Sequence, residues 1–191
     1  MEKSAYTYGD LPHLNARLVF VTFRLADSLP VNALDEMKRF DMEWQTKYCN
    51  EWTNGKEEEY LRQRKILEND LLDKALGSCI LNRCDVRKIV VKALMHFNDE
   101  RYWLHAFVVM PNHVHMLMEM IDPYRLQDVM HSIKSYTAHQ INEICQSSGP
   151  VWEREYFDKI VRDSRHYQKV MRYIENNPKH CRRGEFALYL S

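Results

Sequence analysis

The hydrophobic pattern of the chain changes period several times. Residues 16–26, ARLVFVTFRLA, are rich in β-branched and aromatic side chains and predict a strand. From 31 to 48, Leu34, Met37, Phe40, Trp44 and Tyr48 recur at helical spacing. NEWTNGKEE then breaks the pattern, and residues 56–76 resume it with Tyr60, Leu61, Leu67, Leu71 and Leu72. This charged stretch, at about 50–80, reads as a helical insertion packed beside a core. Residues 84–98 predict a helix with Val86, Ile89, Val90, Ala93 and Leu94 on one side and Asp85 as its N-cap.

Residues 101–110 and 113–121 read as two strands, a hairpin or bent ribbon interrupted by Pro111-Asn112. A long helix follows over 124–146, its apolar side marked by Leu126, Val129, Met130, Ile133, Tyr136, Thr137 and Ile141. Residues 151–161 are extended or irregular. Asp163 or Ser164 caps a last helix that runs to Asn177, and Pro178 stops it. EFALYL closes with a strand. Without the insertion the order is β-α-β-β-α, a connector and a terminal helix. That is an α+β, ferredoxin-like (RRM-like) split β-α-β core with an antiparallel sheet, expected as one domain over 1–191.

Composition narrows the picture. The 27 Lys and Arg balance the 27 Asp and Glu, so a nucleic-acid partner would need a local basic face. The five cysteines include no Cys-x-x-Cys pair and are odd in number, which argues against a zinc knuckle and a disulfide framework and for reduced thiols in the cytoplasm. No apolar run approaches the length of a membrane span, and the N-terminus lacks the apolar segment of a signal peptide.

The chemistry concentrates in VVMPNHVHMLME, residues 108–119. Strand side chains alternate faces, so His113 and His115 point one way and Val114 the other. Two imidazoles side by side suit a divalent metal; the plainer reading is a pair of half-exposed strand histidines. A nucleotide hydrolase with alternating histidines would want a third at 117, which is Leu117. On the final helix Tyr167, Val170, Met171 and Ile174 form an apolar stripe, and Tyr173 and Asn177, four apart, share a face beside it. Alone, that pair reads as a core-edge aromatic and a C-cap. Beside a metal it reads as a nucleophile and a ligand.

VVMPNHVHMLME, VWEREYFDKIVRD and YIENNPKH, in that order, resemble the REP-associated tyrosine transposases, which belong to the HUH single-tyrosine transposases of small insertion sequences. The resemblance runs from about Val19 to Arg183. It implies a C-terminal catalytic helix with Tyr173 as nucleophile, and Mg²⁺ or Mn²⁺ held by His113, His115 and Asn177. In the broader family Gln stands at the position of Asn177. It further implies cleavage and transfer of single-stranded DNA bearing hairpin or palindromic elements, through a 5′-phosphotyrosine. Tyr156 and Tyr136 rank behind Tyr173 as nucleophiles.

Between Val151 and Gly184 nine Lys or Arg face five Asp or Glu. Arg154, Arg162, Arg165, Lys169 and Arg172 are the expected DNA-binding cations, with Trp152 and Tyr156 stacking on unpaired bases. The expected setting is the bacterial cytoplasm, at the nucleoid when DNA is bound, as a monomer or homodimer without a membrane. Two rivals remain open: a domesticated, non-catalytic DNA-hairpin-binding protein, and a metal-dependent phosphohydrolase without a covalent step.

Overall fold

A computed structural model describes residues 17–49 and 53–191; residues 1–16 and 50–52, which include part of the expected break between the first two helices, lie outside them. Five strands form one antiparallel sheet: β1 (Leu18–Arg24), β2 (Tyr102–Val109), β3 (His113–Met120), β4 (Phe157–Ile160) and β5 (Ala187–Leu190), in the order β4-β1-β3-β2-β5. The helices are α1 (Val31–Tyr48), α2 (Asn54–Asp73), α3 (Cys84–His96), α4 (Leu126–Cys145) and α5 (Ser164–Asn176). The fold is therefore α+β with the ferredoxin-like order. The stretch read as a connector supplies the fourth strand of that core, and β5 extends the sheet at the far edge.

The central strand β3 is buried along nearly its whole length because both faces of the sheet are covered. Val114, Met116, Met118 and Met120 join Val19, Val21 and Phe23 of β1 in a core closed by Val86, Val90 and Leu94 of α3 and Val129, Met130 and Ile133 of α4. The opposite face carries Leu117 with Leu18, Phe20, Ala106 and Val108, covered by Val170 and Ile174 of α5. A bulge between Leu104 and Ala106 reverses the parity of β2, which is why its apolar residues do not alternate cleanly.

Local details depart from the sequence pattern in three places. Arg83, not Asp85, stands at the N-cap of α3; the Asp85 carboxylate instead accepts from the Val86 N–H and pairs with Arg83. Tyr136 faces solvent because the helix turns it off the stripe that Ile133 and Thr137 bury. Asn177 and Pro178 do not end the last helix abruptly but tighten it into a 3₁₀ turn, Asn177–His180.

Leu29, Ala33 and Met37 pack against Leu71 and Leu72, so α1 and α2 form a hairpin with its own small core. The turn that leaves α2 depends on Gly77. Its φ is +85°, and a Cβ there would lie 2.3 Å from the Asp27 carbonyl oxygen. The Asp27 carboxylate accepts from the next N–H, that of Ser78. Gly77→Ala combines left-handed strain with a backbone overlap and is expected to destabilise the protein by about 2–4 kcal/mol. A fall in the urea midpoint at constant slope would show this; an unchanged midpoint would mean that the turn moves freely.

Candidate active site

The site begins at the turn before β3. Asn112 is fully buried, and each end of its amide has work. Nδ2 donates to the carbonyls of Leu72 (3.2 Å) and Leu76 (3.1 Å) at the C-terminal end of α2. That leaves Oδ1 as the acceptor facing His113 Nδ1 at 2.8 Å. His113 must therefore carry its proton on Nδ1, and its Nε2 lone pair faces the site. This Nε2 is buried and has no hydrogen-bond partner among the described residues.

His115 lies opposite Thr22 in the register of β1 and β3, and its Nδ1 meets Thr22 Oγ1 at 2.8 Å. On its other side Nε2 meets the Tyr173 hydroxyl at 3.2 Å. In the tautomer in which Nδ1 donates to Thr22, Nε2 accepts the phenolic hydrogen, and both histidines then turn an Nε2 lone pair toward the site. Phe20 stacks on His115 at 5.6 Å and meets the Tyr173 ring edge-on, which holds the phenol against the imidazole. Both histidines are only 1% exposed, not half-exposed as an isolated strand pair would be.

Helix α5 brings up Tyr173. Asp163 caps it by accepting from the His166 N–H at 2.7 Å, and Val170 and Ile174 anchor it on the sheet. One turn later the Asn177 side chain neighbours His113 and Asp73, and its Oδ1 is a second buried acceptor without a partner among the described residues. Burial costs such groups free energy unless something binds them. Two orphaned lone pairs, one imidazole and one amide, fit a divalent cation. Among the described residues no three His, Cys, Asp or Glu side chains stand close enough to hold a metal by themselves, so such a site depends on the Asn177 amide.

Sequence reasoning missed the contribution of α2. Asp73, its last residue, places Oδ1 4.0 Å from His113 Nε2. Lys65, on the same face two turns earlier, lies over the Phe157 ring and pairs with Glu68 at 2.9 Å. Nothing in the sequence links α2 to β3, because the link is made by Asn112 through space. Lys65, Glu68, Thr22, Arg24, Tyr156 and Phe157 line a cleft of about 220 Å³ beside the histidines. Arg24 crosses it to Glu153 at 3.1 Å. A larger hollow of about 380 Å³ lies between α4 and residues 149–156 and is lined by none of His113, His115 and Tyr173.

The electrostatics follow from this closure. Burial, with Lys65 adding to it and Asn177 opposing, pushes His113 down to about 3. Burial, then the His113 and Lys65 charges, hold His115 well below the usual imidazole value. Burial pushes the Tyr173 phenol up, as do the charges of Asp73 and Asp70. Burial and Asp70 raise Asp73, against His180 and Asn177.

The expected DNA-contacting residues divide. Arg154, Arg162, Arg165, Lys169 and Arg172 are exposed, and Arg165, Lys169 and Arg172 fall at i, i+4 and i+7 on one face of α5. Tyr156 is half-buried between the two hollows. Trp152 is not available to stack on a base. It is 6% exposed, its ring packs edge-on against Phe23, and its Nε1–H donates to Thr137 Oγ1 at 2.9 Å. Of the rival tyrosines, Tyr136 lies on α4, across the sheet from the histidines.

The antiparallel α+β sheet thus presents a His-x-His pair to a helix-borne tyrosine. The chain belongs to the IS200-like transposase family, described as "Transposase IS200 like", which its residues 44–177 match. An uncharacterised protein of Haemophilus influenzae is 29% identical over 96 residues, covering 39% of this chain and 53% of that protein, so the chain spans about half the length of this curated relative. Two solved structures are similar. One is a REP-associated tyrosine transposase bound to a REP hairpin (16% identity, TM-score 0.46, 94% of this chain and 75% of that one). The other, from Deinococcus radiodurans R1, is assigned as a transposase (13% identity, TM-score 0.37, 93% and 97%).

The depressed histidines make stability depend on pH. Unfolded, each protonates near 6.5; folded, His113 does so only near 3. Between those values the unfolded chain binds more protons, so stability is full above about 6.5 and falls with pH, by up to about 1.4 kcal/mol per pH unit for each histidine. Urea unfolding of metal-free protein between pH 7 and 5.5, above the carboxylate range in which Asp73 acts in the opposite sense, should show the fall. His115→Gln should reduce its slope; an unchanged slope would mean that His115 is not buried neutral.

Proposed function

We propose that the protein is a metal-dependent single-stranded DNA endonuclease and strand transferase that works through a 5′-phosphotyrosine on Tyr173. The observation that carries this reading is the Tyr173 hydroxyl 3.2 Å from His115 Nε2, with Asn177 one turn further on beside His113. Family membership supports the class of reaction. The motif resemblance to the REP-associated branch favours hairpin-bearing repeat DNA as substrate. Among the described residues no helix is long and apolar enough to cross a membrane.

In the reaction the Tyr173 oxygen bonds to the phosphorus of a backbone phosphate, and the bond from phosphorus to the preceding 3′ oxygen breaks. Tyr173 loses its hydrogen and the 3′ oxygen gains one, which leaves a phosphotyrosine and a free 3′-hydroxyl. Attack by a 3′-hydroxyl on that linkage rejoins strands and restores the phenol. His113, His115 and Asn177 would hold Mg²⁺ or Mn²⁺, which when bound polarises the phosphoryl oxygens and eases departure of the 3′ oxygen. His115 Nε2 would serve either the phenol or a cation, so the Tyr173 hydroxyl would have to turn away from it for all three side chains to hold the ion. The exposed cations of α5 hold the strand by its phosphates. Tyr156 flanks its path along the cleft, and Arg154 stands at the neighbouring hollow.

Tyr173→Phe removes the phenolic oxygen and keeps the ring on Phe20. Incubated with labelled single-stranded hairpin DNA and Mn²⁺ and run on a denaturing gel, this variant is expected to form no cleavage product and no covalent adduct. Its stability should change by about 1 kcal/mol or less. Mn²⁺ binding should persist or tighten, because a competitor for His115 Nε2 is gone. An adduct in Tyr173→Phe that disappears in Tyr156→Phe would move the nucleophile to the cleft wall. No adduct from the wild type would favour the non-catalytic hairpin-binding protein.

Charge reversal at Arg162 and Arg165 should weaken DNA binding and lower the salt slope by roughly one unit per lost phosphate contact. An unchanged slope, measured by fluorescence anisotropy at several salt concentrations, would place the DNA face elsewhere.

A further inference from the structure

We infer that Asp73, carried to the site by α2, is a fourth donor for the divalent cation; the inference rests on the reading that His113, His115 and Asn177 hold that cation. Asp73 Oδ1 lies 4.0 Å from His113 Nε2. A cation with donor distances of about 2.0–2.1 Å spans two donors up to about 4.2 Å apart, so one ion can serve both. His113 is 1% exposed, and its Nε2, aimed at Asp73, has no hydrogen-bond partner among the described residues. The orphaned Oδ1 of Asn177 belongs to a side chain that neighbours both residues.

Asp73 is not a stray surface carboxylate. Asn112 holds the carbonyls of Leu72 and Leu76 on either side of it and orients His113 with the same amide. Among the described residues no Lys or Arg pairs with Asp73. The donor chemistry points the same way. Two neutral imidazoles and an amide bring no charge, whereas Mg²⁺ and Mn²⁺ favour anionic oxygen. Asp73 supplies that oxygen. His113, His115 and Asp73 do not converge as they stand. The Asp73 side chain is 45% exposed, so rotation can bring it in.

The test is calorimetric titration of the whole chain with MnCl₂ and no DNA. The wild type should bind one Mn²⁺, and His113→Ala and His115→Ala should lose it. Asp73→Asn, which keeps the size and removes the charge, should weaken Mn²⁺ binding by about tenfold or more. Asp70→Asn should bind as the wild type does. Asp73→His replaces oxygen with imidazole nitrogen and should shift preference from Mn²⁺ toward Zn²⁺. This gain also carries the comparison should Asp73→Asn fold poorly in thermal unfolding. Wild-type Mn²⁺ affinity in Asp73→Asn and an unshifted preference in Asp73→His, with both histidine variants defective, would overturn the role of Asp73 and leave the histidine site standing. No Mn²⁺ binding by the wild type, or normal binding by the histidine variants, would overturn the cation site and Asp73 with it.

Discussion

The parity of β3 governs the molecule. Hydrogen-bonded to β1 and β2 and covered on both faces, the strand cannot slip by one residue without exchanging every side chain between two different cores. Val114, Met116 and Met118 belong to the face under α3 and α4, and Leu117 to the face under α5. With that register set, His113 and His115 have one place to go, beneath α5 and beside Thr22 and Arg24 of β1. Tyr173 meets them because Val170 and Ile174 dock on the same face.

Polar groups in such a setting must be satisfied or kept for a ligand. Asn112 accounts for the first kind, joining the end of α2 to the inward side of His113. Thr22 does the same for His115. The outward nitrogens differ: one is taken by Tyr173, and the other is left open beside the open Asn177 oxygen. A buried acceptor without a partner costs about 1–3 kcal/mol, which stability alone gives no reason to retain. The same closure keeps the imidazoles neutral, the state in which nitrogen is a ligand.

Charge is divided by position rather than by total. The chain is formally neutral, yet the exposed cations of α5 stand along one helix face while the charges of Asp73 and Asp70, at the end of α2, act on the buried phenol. Without a cation those carboxylates work against ionisation of Tyr173. A bound divalent ion would reverse the sign of the local field. The α1–α2 hairpin, fastened by Gly77 and Asn112, is thus one wall of the site as well as a covering element.

Much of the fold was legible along the chain. The two-residue alternation of 113–120, the helical spacing of 126–141 and the stripe at Val170 and Ile174 are local consequences of which face each element buries, so the helices and every strand but β4, which reads only as an extended or irregular connector, could be read directly. The same periodicities put His113 and His115 on one face and Tyr173 and Asn177 on another. Three features could not be read. Trp152 looked like a stacking surface, but only packing against Phe23 and Thr137 decides that its ring lies inside. The reversal of β2 at Leu104 and Ala106 shows only in the pairing. The approach of Asp73 to His113 depends on where α2 docks, and that is decided by hydrogen bonds from a side chain about forty positions away, an interaction without a period for a sequence to display.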